Sequence, residues 1–145
     1  MEDGGDGYRI EDQIGYILRQ ANQRHLAIFS RHITDYTPTQ LSAMARLFER
    51  GQLSQNELGR QTSMDAATIK GVVDRLRRRG LVTVSQDAND LRRSSLSLSE
   101  TGRAEFLRLR PIAARITAET VAGLDDGERA ALTSLLRRLG AGPEA

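Results

Sequence analysis

The stretch SMDAATIKGVVDRLRRRGLV, residues 63–82, is built differently at its two ends. Its opening turns carry Asp65, Ala67, Thr68 and Lys70, side chains that are short or flexible and that donate or accept hydrogen bonds or offer a methyl. That set suits the edges of base pairs in a major groove. Ala66 or Ala67 would lie against a thymine methyl, Thr68 would reach a base or phosphate, and Lys70 would meet a phosphate or a guanine. The far end carries Arg75, Arg77, Arg78 and Arg79 and stops at Gly80. Cations there complement the helix dipole, and Arg75 is placed to touch phosphate. Taken alone, the arginines describe a solvated helix end equally well. The segment DANDLRRSS adds Arg92 and Arg93 on an extended turn, where two adjacent like charges suit the narrow, electronegative minor groove. From Gln55 to Arg93, eight Lys and Arg stand against five Asp and Glu.

His25 and His32, the only histidines, lie seven residues apart beside Phe29 on an apolar helical stripe. Two readings stand open for them. One makes them hydrogen-bonded residues within a subunit interface. The other makes them polar anchors of a largely apolar small-molecule pocket, with Tyr16, Arg19 and Phe29 joining them and Arg19 paired to a carboxylate.

Other chemistry is harder to find. Cysteine is absent, which removes disulfides and thiolate chemistry. Two histidines fall short of the four ligands of a structural zinc site, so no metal and no cofactor are expected. No Ser/His/Asp set, phosphate loop or carboxylate pair stands out, and no enzymatic activity is expected. No run of eighteen apolar residues occurs, so no membrane span is expected, and the acidic, glycine-rich start MEDGGDGYR reads as a frayed tail. The expected location is the cytoplasm. A net charge of +2 does not itself announce a nucleic-acid partner; the clustering of arginine does.

The elements that must position these residues follow from periodicity. Ile14, Ile17, Leu18, Ala21, Ile28 and Phe29 recur at helical steps, predicting an amphipathic helix over 10–33. In TPTQLSAMARLFERG, Thr37 is an N-cap, Pro38 suits the first position and Gly51 closes the helix. Ser54 with Glu57 predicts a capping box for a short helix, and residues 65–79 form the next helix, in which Gly71 suggests a tight approach by a neighbour. LVTVS and SLSLS alternate, so two short strands flank a long charged turn. Helices over 100–123 and 126–139 follow. The first of these buries Phe106, Leu107, Leu109, Ile112, Ala113 and Ile116 and is kinked or left one hydrogen bond short by Pro111; the second ends at Gly140. The fold class is mainly α with a small β-hairpin wing: a winged helix-turn-helix over 37–99, flanked by dimerisation helices at 10–33 and 100–140, in one domain.

The run from LSQNELGRQTS through SLSLSETG resembles the DNA-binding core of the MarR family of bacterial transcriptional regulators. Asp90, Arg92, Leu96, Leu98, Ser99 and Gly102 keep that family's wing spacing. Ala88 departs from a usual proline and Leu91 from a common arginine. TPTQ, LSQN and DAATIKGVVDRL further resemble a subgroup controlling catabolism of aromatic or nicotinate-type acids. The resemblance implies a homodimer on a pseudo-palindromic DNA site. Ser54, Gln55 and Asn56 at the start of the short helix join Asp65, Ala67, Thr68, Lys70, Arg75, Arg92 and Arg93 at the DNA. It also implies a small aromatic carboxylate as effector, held where the first helix meets the winged domain. The expected function is a repressor released by that acid; a constitutive DNA binder and a winged-helix protein-interaction module are the alternatives.

Overall fold

A computed structural model describes residues 7–87 and 89–143, with the backbone alone at Asp87 and at residues 90–93. Residues 1–6 of the expected frayed tail and the departure at Ala88 lie outside the described residues. After a 3-10 turn at Ile10–Asp12 come helices α1 (Ile14–His32), α2 (Pro38–Arg50), α3 (Gln55–Gln61) and α4 (Ala66–Arg78). Strands β1 (Val82–Asp87) and β2 (Asp90–Leu98) follow, then helices α5 (Glu100–Thr120) and α6 (Asp126–Ala141). The expected order of elements is the observed one. The first helix starts later than its periodicity suggests, because Gln13 is extended (ψ 127°) between the 3-10 turn and α1.

Local chemistry sets the helix ends. Thr37 Oγ1 accepts the Gln40 amide while Gln40 Oε1 accepts the Thr37 amide, with Pro38 at the first position, and Asp125 and Glu128 form the same reciprocal box. At α3 only half of the expected box forms. Ser54 Oγ accepts the Glu57 amide, but Glu57 spends its carboxylate on Arg60 and Gln61. Helix α6 runs through Gly140 and ends at Gly142, whose φ of 81° suits glycine as a C-cap. Helix α5 is continuous through Pro111.

The chain divides into two compact units. The unit Ile33–Ala113 holds α2, α3, α4, the hairpin and the first part of α5. Its core is Ala43, Met44 and Leu47 from α2, Leu58 from α3, Ile69, Val72, Val73 and Leu76 from α4, Leu81, Val82 and Leu96 at the hairpin, and Phe106 and Leu109 from α5. Leu107, expected among them, is 41% exposed. It lies roughly 100° around the helix from Phe106, off the line that continues through Leu109.

The hairpin is longer than expected. Its strands pair antiparallel from Val82 with Leu98 to Gln86 with Ser94, with a register shift before Asp87 pairs with Asp90. Most of the presumed turn is therefore strand. Leu53 adds a short bridge to Leu96. At the other end Ser99 locks α5 to the α4–β1 corner. Its amide donates to the Leu81 carbonyl, its hydroxyl donates to the Gly80 carbonyl, and that hydroxyl accepts the Gly102 amide. A Cβ at Gly102 would overlap the Leu81 carbonyl oxygen, which explains the glycine. Gly71 has no such reason, contrary to expectation: among the described residues a Cβ there would meet only Arg75 Nη1, at 3.8 Å.

The other unit combines α1, the end of α5 and α6. Much of its apolar surface is open. Ile14 (61%), Leu135 (57%), Leu139 (55%) and Ile10 (53%) are exposed, as are Ile17, Leu18 and Leu136. Together α1, α6 and residues 120–124 border an apolar trough of about 800 Å³.

Candidate nucleic-acid interface

Helices α3 and α4 meet at a tight turn. A Cβ at Gly59 would sit 3.1 Å from both Ile69 Cγ2 and the Met64 carbonyl, so a side chain there would force the helices apart. The Met64 amide donates to the Gly59 carbonyl at 2.8 Å, and Thr62 Oγ1 donates to the Leu58 carbonyl at 2.6 Å. Ser63 takes φ 57°, the left-handed conformation, at the point where the chain reverses. Asp65 Oδ1 then accepts the Thr68 amide at 2.7 Å and caps α4. That bond holds the Asp65 carboxyl below the usual carboxylate range. Asp65 thus has a structural role beside the DNA contact expected of it.

Helix α4 presents two faces. Ile69, Val72, Val73 and Leu76 are buried. Roughly opposite, at 100° per residue, lie Ala67, Gly71, Asp74 and Arg78. Thr68 and Arg75 flank that line on one side, Lys70 and Arg77 on the other, and all four are exposed. Lys70 Nζ donates to Asp74 Oδ2 at 2.8 Å, which keeps the Asp74 carboxyl low. At 67% side-chain exposure, the Lys70 ammonium is open to exchange that partner for an incoming anion. Ser54 and Asn56 are exposed at the start of α3, and Gln55 is half-buried.

Arg79 separates from the other arginines. Its Nη1 donates to the Asp35 carbonyl at 2.6 Å and its guanidinium lies 4.1 Å from the centre of the Tyr36 ring. The Tyr36 hydroxyl donates to Glu105 Oε2 at 2.7 Å, and Arg108 joins Glu105 to Asp35. Burial, helped by the bond to Glu105, raises the Tyr36 hydroxyl to about 12. Arg108 and then Tyr36 lower Glu105 to about 2. This network ties the end of α4 to α5, and periodicity gave no sign of it, because its members lie far apart in the chain. Arg92 and Arg93 belong to β2, and their side chains lie outside the described residues.

The residues expected around an effector do not share one face. His25 Nδ1 is 2.9 Å from Thr120 Oγ1 and borders the trough. His32 Nε2 is 2.6 Å from Glu119 Oε2, and Arg31 donates to Glu119 Oε1 at 2.5 Å. Those two partners, His32 foremost, hold Glu119 below its ordinary range. Phe29 is buried. Tyr16 lies roughly 180° and Arg19 roughly 120° around α1 from His25. Tyr16 accepts from Gln20 at 3.1 Å, and Arg19 is exposed. Among the described residues no three His, Asp or Glu side chains gather as a metal-ligand group, and no helix is long and apolar enough to cross a membrane.

The MarR family model matches residues 36–94. The chain is 39% identical to the HTH-type transcriptional repressor NicR of Pseudomonas putida, over 91% of this chain and 85% of NicR. A solved structure of a probable transcriptional regulator from Pseudomonas aeruginosa is 52% identical, with a TM-score of 0.87 over 90% of this chain and 99% of that one. Bordetella bronchiseptica BpsR, whose structure concerns regulation of its DNA binding by 6-hydroxynicotinic acid, is 36% identical. Its TM-score is 0.89 over 93% of this chain and 98% of BpsR.

Proposed function

Because the chain belongs to the MarR family of transcriptional regulators, we propose that it is a homodimeric DNA-binding repressor released from its operator by a small aromatic acid. The observation that carries the DNA-binding reading is the outward face of α4. It presents small residues, Thr68, Lys70 and exposed arginines on a capped helix, in one compact unit with a hairpin wing. The first turns read base edges, the flanking cations hold phosphate, and Arg92 and Arg93 on the wing are assigned to the adjacent minor groove. Ser54, Gln55 and Asn56 are assigned to the DNA backbone beside them. The protein works where the chromosome is, in the cytoplasm, and its role is regulation rather than catalysis.

The dimer interface is assigned to the open apolar surface of α1 and α6, which supports a self-complementary contact between two copies. Two copies present two recognition helices to half-sites about one helical turn apart. The repressor reading follows from NicR, a named repressor, and the effector class from BpsR, whose DNA binding is tied to a hydroxylated pyridine carboxylate. His25, His32, Phe29, Tyr16 and Arg19 are the candidate contacts to its ring and carboxylate. The hydrogen bond of His25 to Thr120 favours a second reading for that residue, a structural tie between α1 and α5. An acid that binds the DNA-incompetent arrangement ~1.4 kcal/mol better than the competent one weakens DNA binding tenfold.

A mobility shift on DNA upstream of the gene, repeated with a panel of aromatic and pyridine carboxylates, tests the reading. Binding that one or more acids reverse is expected. Binding that no acid of the panel alters would return the protein to a constitutive DNA binder.

A further inference from the structure

We propose that Gly71 sets how deeply helix α4 enters the DNA groove, and thereby determines selectivity for the operator; this rests on the DNA-reading role argued above for α4. Gly71 is an interior residue of α4, where glycine weakens a helix relative to alanine. Every other glycine of the unit Ile33–Ala113 has a reason within the fold, whereas Gly15, Gly123 and Gly140 of the other unit have none. Gly59 and Gly102 sit where a Cβ would strike a neighbouring element, and Gly51 and Gly80 take positive φ. Gly71 has neither. Its backbone is helical, and among the described residues the one atom within 4 Å of an added Cβ is the far end of Arg75, at 3.8 Å. Nothing in the described protein requires the side chain to be missing.

What remains is an external surface. Gly71 lies on the line Ala67–Gly71–Asp74–Arg78, opposite the buried face; Arg78 ends that line and the exposed cations Lys70, Arg75 and Arg77 flank it. Those cations independently point to a polyanion as the surface that α4 meets. An α-helix with its side chains is about 10–12 Å across and the major groove about 12 Å wide, so the fit is close. The residue at the centre of the inward line then limits approach. With a methyl at 67 and no side chain at 71, the backbone itself nears the groove floor. That lets the short side chain of Thr68 and the ammonium of Lys70 reach base edges from either side. A larger residue at 71 would hold both away from the bases while leaving longer arginines in reach of phosphate.

The test uses full-length Gly71→Ala and Gly71→Leu. The DNA is a duplex that the wild-type protein selects from a random-sequence pool, with the unselected pool as non-specific DNA. Gly71→Ala should melt about 3 °C higher, since alanine is the better helix former. It should nevertheless bind the selected duplex at least threefold more weakly, and Gly71→Leu at least a hundredfold, with affinity for the unselected pool within twofold of wild type at low salt. A role confined to folding moves melting and both DNA affinities together. The proposal is overturned if both variants bind the selected duplex within twofold of wild type, or if Gly71→Ala melts lower than wild type. If the wild-type protein enriches no sequence at all, the reading of α4 itself fails, and that result is visible before either variant is made.

Discussion

Truncating Leu135 to alanine should weaken the dimer without harming the protomer. Leu135 lies on α6 and is 57% exposed in the single chain, so the protomer keeps little of its burial energy. Fully burying a leucine contributes about 1.5–3 kcal/mol. The exposed part that a partner covers is therefore worth roughly 1–1.5 kcal/mol. A two-fold interface holds every residue twice, which doubles the loss to about 2–3 kcal/mol. At about 1.4 kcal/mol per decade, the dimer dissociation constant should rise about 30- to 150-fold. Sedimentation equilibrium over a range of protein concentrations reads this directly, and circular dichroism should show unchanged helix content. Val84 is similarly open (37%) but lies on β1, so Val84→Ala should leave the dissociation constant unchanged. Equal dissociation constants for wild type and Leu135→Ala would mean that this face of α6 is not the interface.

Three further outcomes follow from particular residues. Ser63 takes a left-handed φ of 57°, so Ser63→Gly should stabilise the protein by up to about 1 kcal/mol in urea denaturation. Glu105, held at about 2 by Arg108 and Tyr36, contributes stability that is present above its ordinary value of 4.5 and lost as pH falls towards 2. Tyr36, raised to about 12, contributes stability that is present below 10 and lost as pH rises through 12. Glu105→Gln should flatten the acid limb of a melting temperature–pH profile; an acid limb identical to wild type would remove the network from the account. Arg92→Ala should weaken binding to every DNA sequence and reduce the slope of log affinity against log salt by roughly one unit if one phosphate contact is lost, whereas wild-type affinity at all salt concentrations would exclude the wing contact.

Features written in local chemistry could be read from the sequence, and features made by distant partners could not. Thr37 and Pro38 mark the start of α2 in two residues, and the structure caps the helix there, with Gln40 completing the box. The hairpin was legible at Val82, Val84, Leu96 and Leu98, where apolar alternation is visible. It was not legible over residues 86–87 and 90–94, which are strand without apolar alternation. Glycine carries no record of its cause. Gly71 looked like a helix contact, yet Gly59 and Gly102 are the glycines against which other backbone packs. Arg79 looked like one more cation at the helix end, but Asp35 and Tyr36 hold it within the fold. Their role could be seen only once the chain had brought them together. Equally, periodicity put Phe29 and both histidines near one stripe of α1, but it did not rule out Tyr16 and Arg19, which turn to other faces.

Methylation interference on the bound operator would show where α4 lies. Guanine N7 is exposed in the major groove and adenine N3 in the minor groove, so methylation at the two atoms reports on the two grooves separately. With Thr68 and Lys70 of two α4 helices seated in successive major grooves, N7 methylation should block binding in two symmetric clusters. Their centres should lie about 10 base pairs apart. Interference confined to adenine N3, or no interference at guanine N7 within a site that the protein still binds, would contradict recognition through α4.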